Sequence, residues 1–228
     1  MPVPKSDADM AHTTPVQLFH KLEENRMLPL FNHADESTCF SVIDQCYDAG
    51  LRVFELTNRD STARQTFQRL QAARPDRWPE LSLGAGTILD ADTARQYIAM
   101  GADFIIAPDL NPVVGEVCVE AGVPWIPGCF SPTEISMAYR MGAFMVKLFP
   151  AGTLGPSFIR HVHGPMPFAR IIVTGGIPTD EAELRNWLDA GAFALGIGSA
   201  LFRADKIKQG DFASLGVELR RLVGITRR

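Results

Sequence analysis

Cysteine is scarce: four thiols in 228 residues, at Cys39, Cys46, Cys118 and Cys129, with no C-x-x-C pair among them. That spacing excludes a disulfide scaffold and a zinc ribbon, and reduced thiols fit a cytoplasmic protein. Long apolar runs are also missing. The longest stretch, from Gly191 to Phe202, is interrupted by glycines and falls short of the ~20 residues that a membrane helix needs. The opening segment, MPVPKSDADM, is polar and lacks an apolar core, so no signal peptide and no membrane partner are expected. Positive charge is not in excess: 22 Lys and Arg stand against 26 Asp and Glu, a net charge of -4, which excludes the basic footprint of a nucleic-acid binder. Histidines are few as well. His161 and His163, separated by one residue on a helical stretch, face different sides and make a poor metal pair.

What is abundant is a repeat of type. Short runs rich in β-branched and aromatic residues alternate with stretches of helical period. The runs are MLPLF (27–31), RVFELT (52–57), LSLGAGTI (81–88), FIIAP (104–108), PWIPG (124–128), FMVKLFP (144–150), RIIVTGG (170–176) and FALGIG (193–198). Helical stretches fall near 36–49, 61–73, 91–100, 112–121, 132–141, 155–162, 180–190 and 211–223. Ser61, Asp90, Asn111, Ser131 and Thr179 read as N-caps, and Gly50, Gly101, Gly122, Gly142 and Gly191 as the glycines that end helices. Eight near-continuous apolar strands alternating with eight helices imply a parallel sheet covered by helices. An open doubly wound sheet is the alternative. Regular spacing without a linker favours an α/β fold of the (β/α)8 (TIM) barrel type, preceded by an extra helix through VQLFHKLEEN. Residues 1–12 read as a flexible polar tail and 13–228 as a single barrel domain.

In such a barrel chemistry sits at the C-terminal ends of the strands. Polar side chains on buried strands are the informative exceptions, because leaving one unpaired costs several kcal/mol, of order 2–7. Lys147 lies inside FMVKLFP, and period two places it on one face with Met145 and Phe149. Burial is expected to favour its neutral amine, the form that attacks a carbonyl. The plainer reading is a lysine held in a structural ion pair. Glu55 shares a face with Val53 and Thr57 and is the carboxylate that could move protons beside that amine. Arg59, at the end of the same strand, suits bidentate binding of a substrate carboxylate, and Thr87 closes GAGT with a hydroxyl beside permissive glycines. Gly175, Gly176, Gly198 and Ser199 end the last two strands, where barrels often bind phosphate through backbone amides.

Taken together, VFELTNR (53–59), GAGTIL (84–89), IAP (106–108), PWIPG with SPTE (124–128, 131–134), VKLFPA (146–151), VTGGI (173–177) and GIGSAL (196–201) resemble the 2-keto-3-deoxy-6-phosphogluconate (KDPG) and 4-hydroxy-2-oxoglutarate (KHG) aldolases, in family order. The resemblance spans residues 27–203. It implies a class I aldehyde-lyase that cleaves KDPG or KHG reversibly to pyruvate and an aldehyde, glyceraldehyde 3-phosphate or glyoxylate. Lys147 would form the Schiff base and Glu55 would serve as acid and base. Arg59 and Thr87 would hold the pyruvate carboxylate, Pro108 and Phe149 would line the pocket, and Gly175, Gly176, Gly198 and Ser199 would take the phosphate. It further implies no metal, no cofactor and a homotrimer. Relatives carry an arginine at the end of strand one, where this chain has Phe31 followed by Asn32. The alternatives on the same barrel are a 6-phosphogalactonate-type aldolase, a phospho-sugar isomerase and a binding protein.

Overall fold

A computed structural model of the chain describes residues 13–227; the polar tail expected over 1–12 lies outside them. The strands are β1 (Met27–Phe31), β2 (Val53–Thr57), β3 (Ser82–Gly86), β4 (Ile105–Ile106), β5 (Trp125–Ile126), β6 (Gly128–Cys129), β7 (Val146–Leu148), β8 (Ile171–Thr174) and β9 (Ala194–Ile197). They pair in the order β5-β4-β3-β2-β1-β9-β8-β7-β6, and every pairing is parallel. The two ends of that order belong to one extended segment. The Ile126 carbonyl accepts from the Ala107 amide at 3.2 Å on one side, and the Pro127 carbonyl accepts from the Lys147 amide at 2.8 Å on the other. The sheet therefore comes round on itself as the expected (β/α)8 barrel. The PWIPG run forms two short strands rather than one because Pro127, between them, has no N–H to give a ladder.

Helices cover the outside: α1 (Pro15–Asn25), α2 (Glu36–Asp48), α3 (Ala63–Arg77), α4 (Ala91–Ala99), α5 (Pro112–Glu120), α6 (Pro132–Arg140), α7 (Ala151–Leu154), α8 (Pro156–His163), α9 (Glu181–Asp189), α10 (Ala204–Lys208) and α11 (Phe212–Thr226). Asp90, Asn111 and Ser131 cap their helices as expected, Ser131 in a capping box with Glu134. Two caps fall elsewhere. At α3 the N-cap position is Thr62, not Ser61; it makes no side-chain cap hydrogen bond, and its amide and hydroxyl donate to Asp60. At α9 it is Asp180, not Thr179, that accepts from Ala182 and Glu183. A carboxylate is the stronger acceptor for unpaired first-turn amides. The five glycines expected to end helices all take positive φ, from 68° at Gly122 to 103° at Gly191.

Two apolar cores result. The larger lies between strands and outer helices; the smaller fills the barrel itself with Leu28, Val53, Phe104, Ile106, Ile126, Met145, Ile172 and Ala194. Leu18 and Leu22 of α1 belong to the inner core and are fully buried. The extra helix thus plugs the N-terminal end of the cylinder, each leucine contributing about 2 kcal/mol. Its approach is fastened by buried Asp103, which accepts from the Thr13 amide (3.2 Å) and hydroxyl (2.9 Å), from the Leu83 amide (2.8 Å) and from Arg74. Among the described residues no helix is long and apolar enough to cross a membrane.

Candidate active site

Period two carries the inner face of each strand from the apolar plug up to the open end. On β2 the inward residues run Val53, Glu55, Thr57; on β7 and just beyond they run Met145, Lys147, Phe149. Val53 and Met145 sit in the inner core, so Glu55 and Lys147 occupy the next layer, and Thr57 and Phe149 the one above. Glu55 is 1% exposed and Lys147 4%. The Lys147 amine stands 5.1 Å from the centre of the Phe149 ring. Both side chains enter one interior rather than the helix layer.

Room for them comes from residues that have no side chain. A Cβ at Gly86 would lie 1.7 Å from the Glu55 carboxyl oxygen Oε1, so that carboxyl lies directly on the Gly86 backbone. A Cβ at Gly128, the register partner of Lys147, would fall 2.1 Å from the Pro108 carbonyl oxygen, and one at Gly196 would fall 2.1 Å from the Thr174 hydroxyl. Small residues on β3, β6 and β9 thus leave the interior to the long polar residues of β2 and β7.

Neither Glu55 oxygen has a hydrogen-bond partner among the described residues. Burial raises its pKa above the ordinary 4.5, while Lys147 and then Arg59 pull it back down. Glu55 therefore sits within electrostatic reach of both cations. A buried carboxyl held this way can take and return a proton more readily than one locked in an ion pair. Thr87, directly after β3, adopts φ 61°. A β-branched residue in that region is strained, and such strain gathers at functional sites.

Above this layer opens a cavity of ≈ 1010 Å³. Of the residues singled out from sequence, Arg59, Phe149, Gly175, Gly176, Gly198 and Ser199 line it. Glu55, Lys147, Thr87 and Pro108 are not among its walls: the first two lie one layer beneath Thr57 and Phe149, which are. The TGG turn needs glycine, because Gly175 and Gly176 take φ 88° and 76° in succession and a Cβ at Gly175 would press on Phe149 at 3.0 Å. Sequence reasoning passed over Thr57 and Thr174 as wall residues, though Thr57 stands on the face already assigned to Glu55 and Thr174 lies two residues after Ile172 of the inner core. Phe31, at the end of β1, was noted only as standing where relatives carry an arginine; the rest of the outer wall, His33, Phe202 and Lys208 from the loop after β1 and from α10 and its approach, was passed over. The strand pattern carries no signal for those.

The thiols are not candidates for nucleophile: all four are buried, and burial pushes Cys39 up to about 11 and Cys118 and Cys129 to about 12. Among the described residues no three His, Cys, Asp or Glu side chains converge as a metal cluster would require.

A parallel barrel with a lysine and a carboxyl buried under its C-terminal mouth has the build of a barrel enzyme. Comparison with known proteins narrows it. The family model described as KDPG and KHG aldolase matches residues 18–217. The 2-dehydro-3-deoxy-phosphogluconate aldolase of Haemophilus influenzae is 30% identical over 219 residues, covering 96% of this chain and 100% of that protein. The 2-dehydro-3-deoxy-6-phosphogalactonate aldolase of Escherichia coli is 30% identical over 158 residues, covering 69% of this chain and 75% of that one. In structure, the KDPG aldolase of Legionella pneumophila, crystallised with pyruvate captured as a covalent carbinolamine, superposes with a TM-score of 0.82 at 22% identity, covering 92% of this chain and 98% of that one. The chain belongs to the KDPG and KHG aldolase family, and it is an aldehyde-lyase.

Proposed function

We propose that this enzyme cleaves 2-keto-3-deoxy-6-phosphogluconate reversibly to pyruvate and glyceraldehyde 3-phosphate through a Schiff base on Lys147. The observation that carries this reading is the placement of Lys147 and Glu55 in one buried layer, with Arg59 near enough to act on the same carboxyl. The neutral Lys147 amine adds to the C2 carbonyl, and the carbinolamine loses water to give an iminium. Glu55 removes the proton of the C4 hydroxyl, directly or through a water. The C3–C4 pair of electrons then flows into the iminium, the aldehyde departs, and an enamine of pyruvate remains. A proton returns to C3 and water releases pyruvate. Arg59 holds the carboxylate in a two-point contact and strained Thr87 sits beside it, while Pro108 and Phe149 exclude water. The turns at Gly175, Gly176, Gly198 and Ser199 take the phosphate on backbone amides.

The same layer would serve KHG, giving glyoxylate, or the 6-phosphogalactonate analogue, since all share the keto-acid end that meets Lys147. Reaction requires neither metal nor cofactor, so activity survives dialysis against a chelator. We also propose a homotrimer, as the family resemblance implies.

Incubation with pyruvate and borohydride leaves a reduced adduct on the peptide carrying Lys147, and Lys147→Ala abolishes it. An adduct on another lysine, or none, defeats the mechanism. Coupled assay of pyruvate release from the three keto acids then ranks the substrates.

A further inference from the structure

We propose that Lys208, assisted by His33, is the cationic half of a subsite for the distal anionic group of the substrate; this rests on the keto-acid reading above. The reasoning starts from charge. Backbone amides at the glycine turns offer hydrogen bonds but no net charge, and a phosphate dianion drawn from water needs a counter-charge to offset its lost hydration. Among the described residues lining the cavity, the permanent cations are Arg59 and Lys208. Arg59 stands at the inner end, where its charge acts on Glu55. Lys208 is therefore the cation left for the far end.

Its surroundings leave it free for that task. On α10 and its approach, Arg203 is paired with Asp205 at 3.1 Å and Lys206 with Asp211 at 3.2 Å, whereas Lys208 has no ion-pair partner among the described residues. The α10 segment reaches the cavity with Ala204, Ile207 and Lys208, so an ammonium on a flexible stem stands at its rim. His33, on the same cavity wall, supplies a ring N–H donor. The Asp35 amide lies 3.1 Å from His33 Nδ1. An amide can only donate there, so Nδ1 accepts and Nε2 is the ring nitrogen left to donate. Phe31 stacks on the His33 ring at 6.2 Å, interplanar 6°, and lies 4.9 Å from Phe202, which fixes that wall.

The test uses glycerol 3-phosphate, which has the phosphate but no keto group, titrated calorimetrically into the full chain. The wild type binds it; Lys208→Gln weakens binding by roughly tenfold or more, the usual worth of a charge-assisted hydrogen bond, and Lys208→Arg restores most of it. Lys208 is exposed, so these variants fold. Equal binding by wild type and Lys208→Gln, or no binding by wild type, overturns the subsite. Pyruvate trapping at Lys147, run in parallel, separates the two ideas. A chain that traps pyruvate but ignores Lys208 loses the subsite and keeps the chemistry. A chain that binds glycerol 3-phosphate through Lys208 yet traps no pyruvate keeps the subsite and loses the chemistry.

Discussion

At the scale of single residues, Glu55 is where stability and chemistry oppose each other. Its carboxyl is buried without a hydrogen bond among the described residues, and its pKa is raised by that burial. A raised pKa means that the native state holds this proton more tightly than the unfolded chain does. The stability it contributes is complete below 4.5 and is lost as pH climbs through the raised value. If the basic form is the reactive one, the acid limb of kcat/KM must lie above 4.5, and Glu55→Gln should remove that limb along with roughly 10²–10⁴-fold of the rate. A pH–rate profile checks both; an unchanged acid limb in the variant would assign it to another group. Gly86→Ala probes the same carboxyl from outside, since the added carbon must displace Oε1. We expect a loss of about 10²-fold in kcat, as for a catalytic group moved by an ångström, with an unaltered circular dichroism spectrum. Full activity in Gly86→Ala would mean that the Glu55 position is not critical.

At the scale of elements, the plug helix α1 is the part whose role is purely structural. Leu22→Ala removes a fully buried side chain from the inner core and should cost about 2–5 kcal/mol in denaturant unfolding, with KM for the keto acid unchanged. A change in KM larger than that in stability would join the plug to the mouth. Elements also explain what sequence could and could not tell. The barrel was legible because apolar runs of strand length recur between capped helices, and Lys147 and Glu55 stood out as charges where the pattern demands apolar residues. The division of PWIPG at Pro127 was written in the proline itself. The cap at Asp180 was missed because Thr179 and Asp180 stand side by side, and only geometry decides which reaches the amides; α3 starts from Thr62, one residue past the expected Ser61. The short helices α7 and α10 were missed for lack of length, since four or five residues carry no period. With α10 went Lys208, a residue whose meaning depends wholly on where that turn of helix is set down.

The molecule as a whole keeps apolar surface on one side of its mouth. Leu89, Val113 and Phe130 are 54%, 52% and 42% exposed and follow β3, β4 and β6, neighbouring positions around the rim. If copies of this chain associate there as the proposed trimer, sedimentation should give three times the 25.0 kDa chain mass, and Phe130→Asp should shift it to the monomer. A monomeric wild type would refute that arrangement. The glycines that face the barrel interior have a different consequence, one for descent rather than for chemistry. Nothing is smaller than glycine, so any mutation at positions 84, 86, 128 or 196 can only press new atoms on Phe104, on Glu55, on the Pro108 backbone or on Thr174. Those four positions cannot be opened further by substitution. On the proposed reading, a change of aldehyde is met more readily at the outer wall, where Phe31, His33, Phe202 and Lys208 can be exchanged for smaller or larger residues alike.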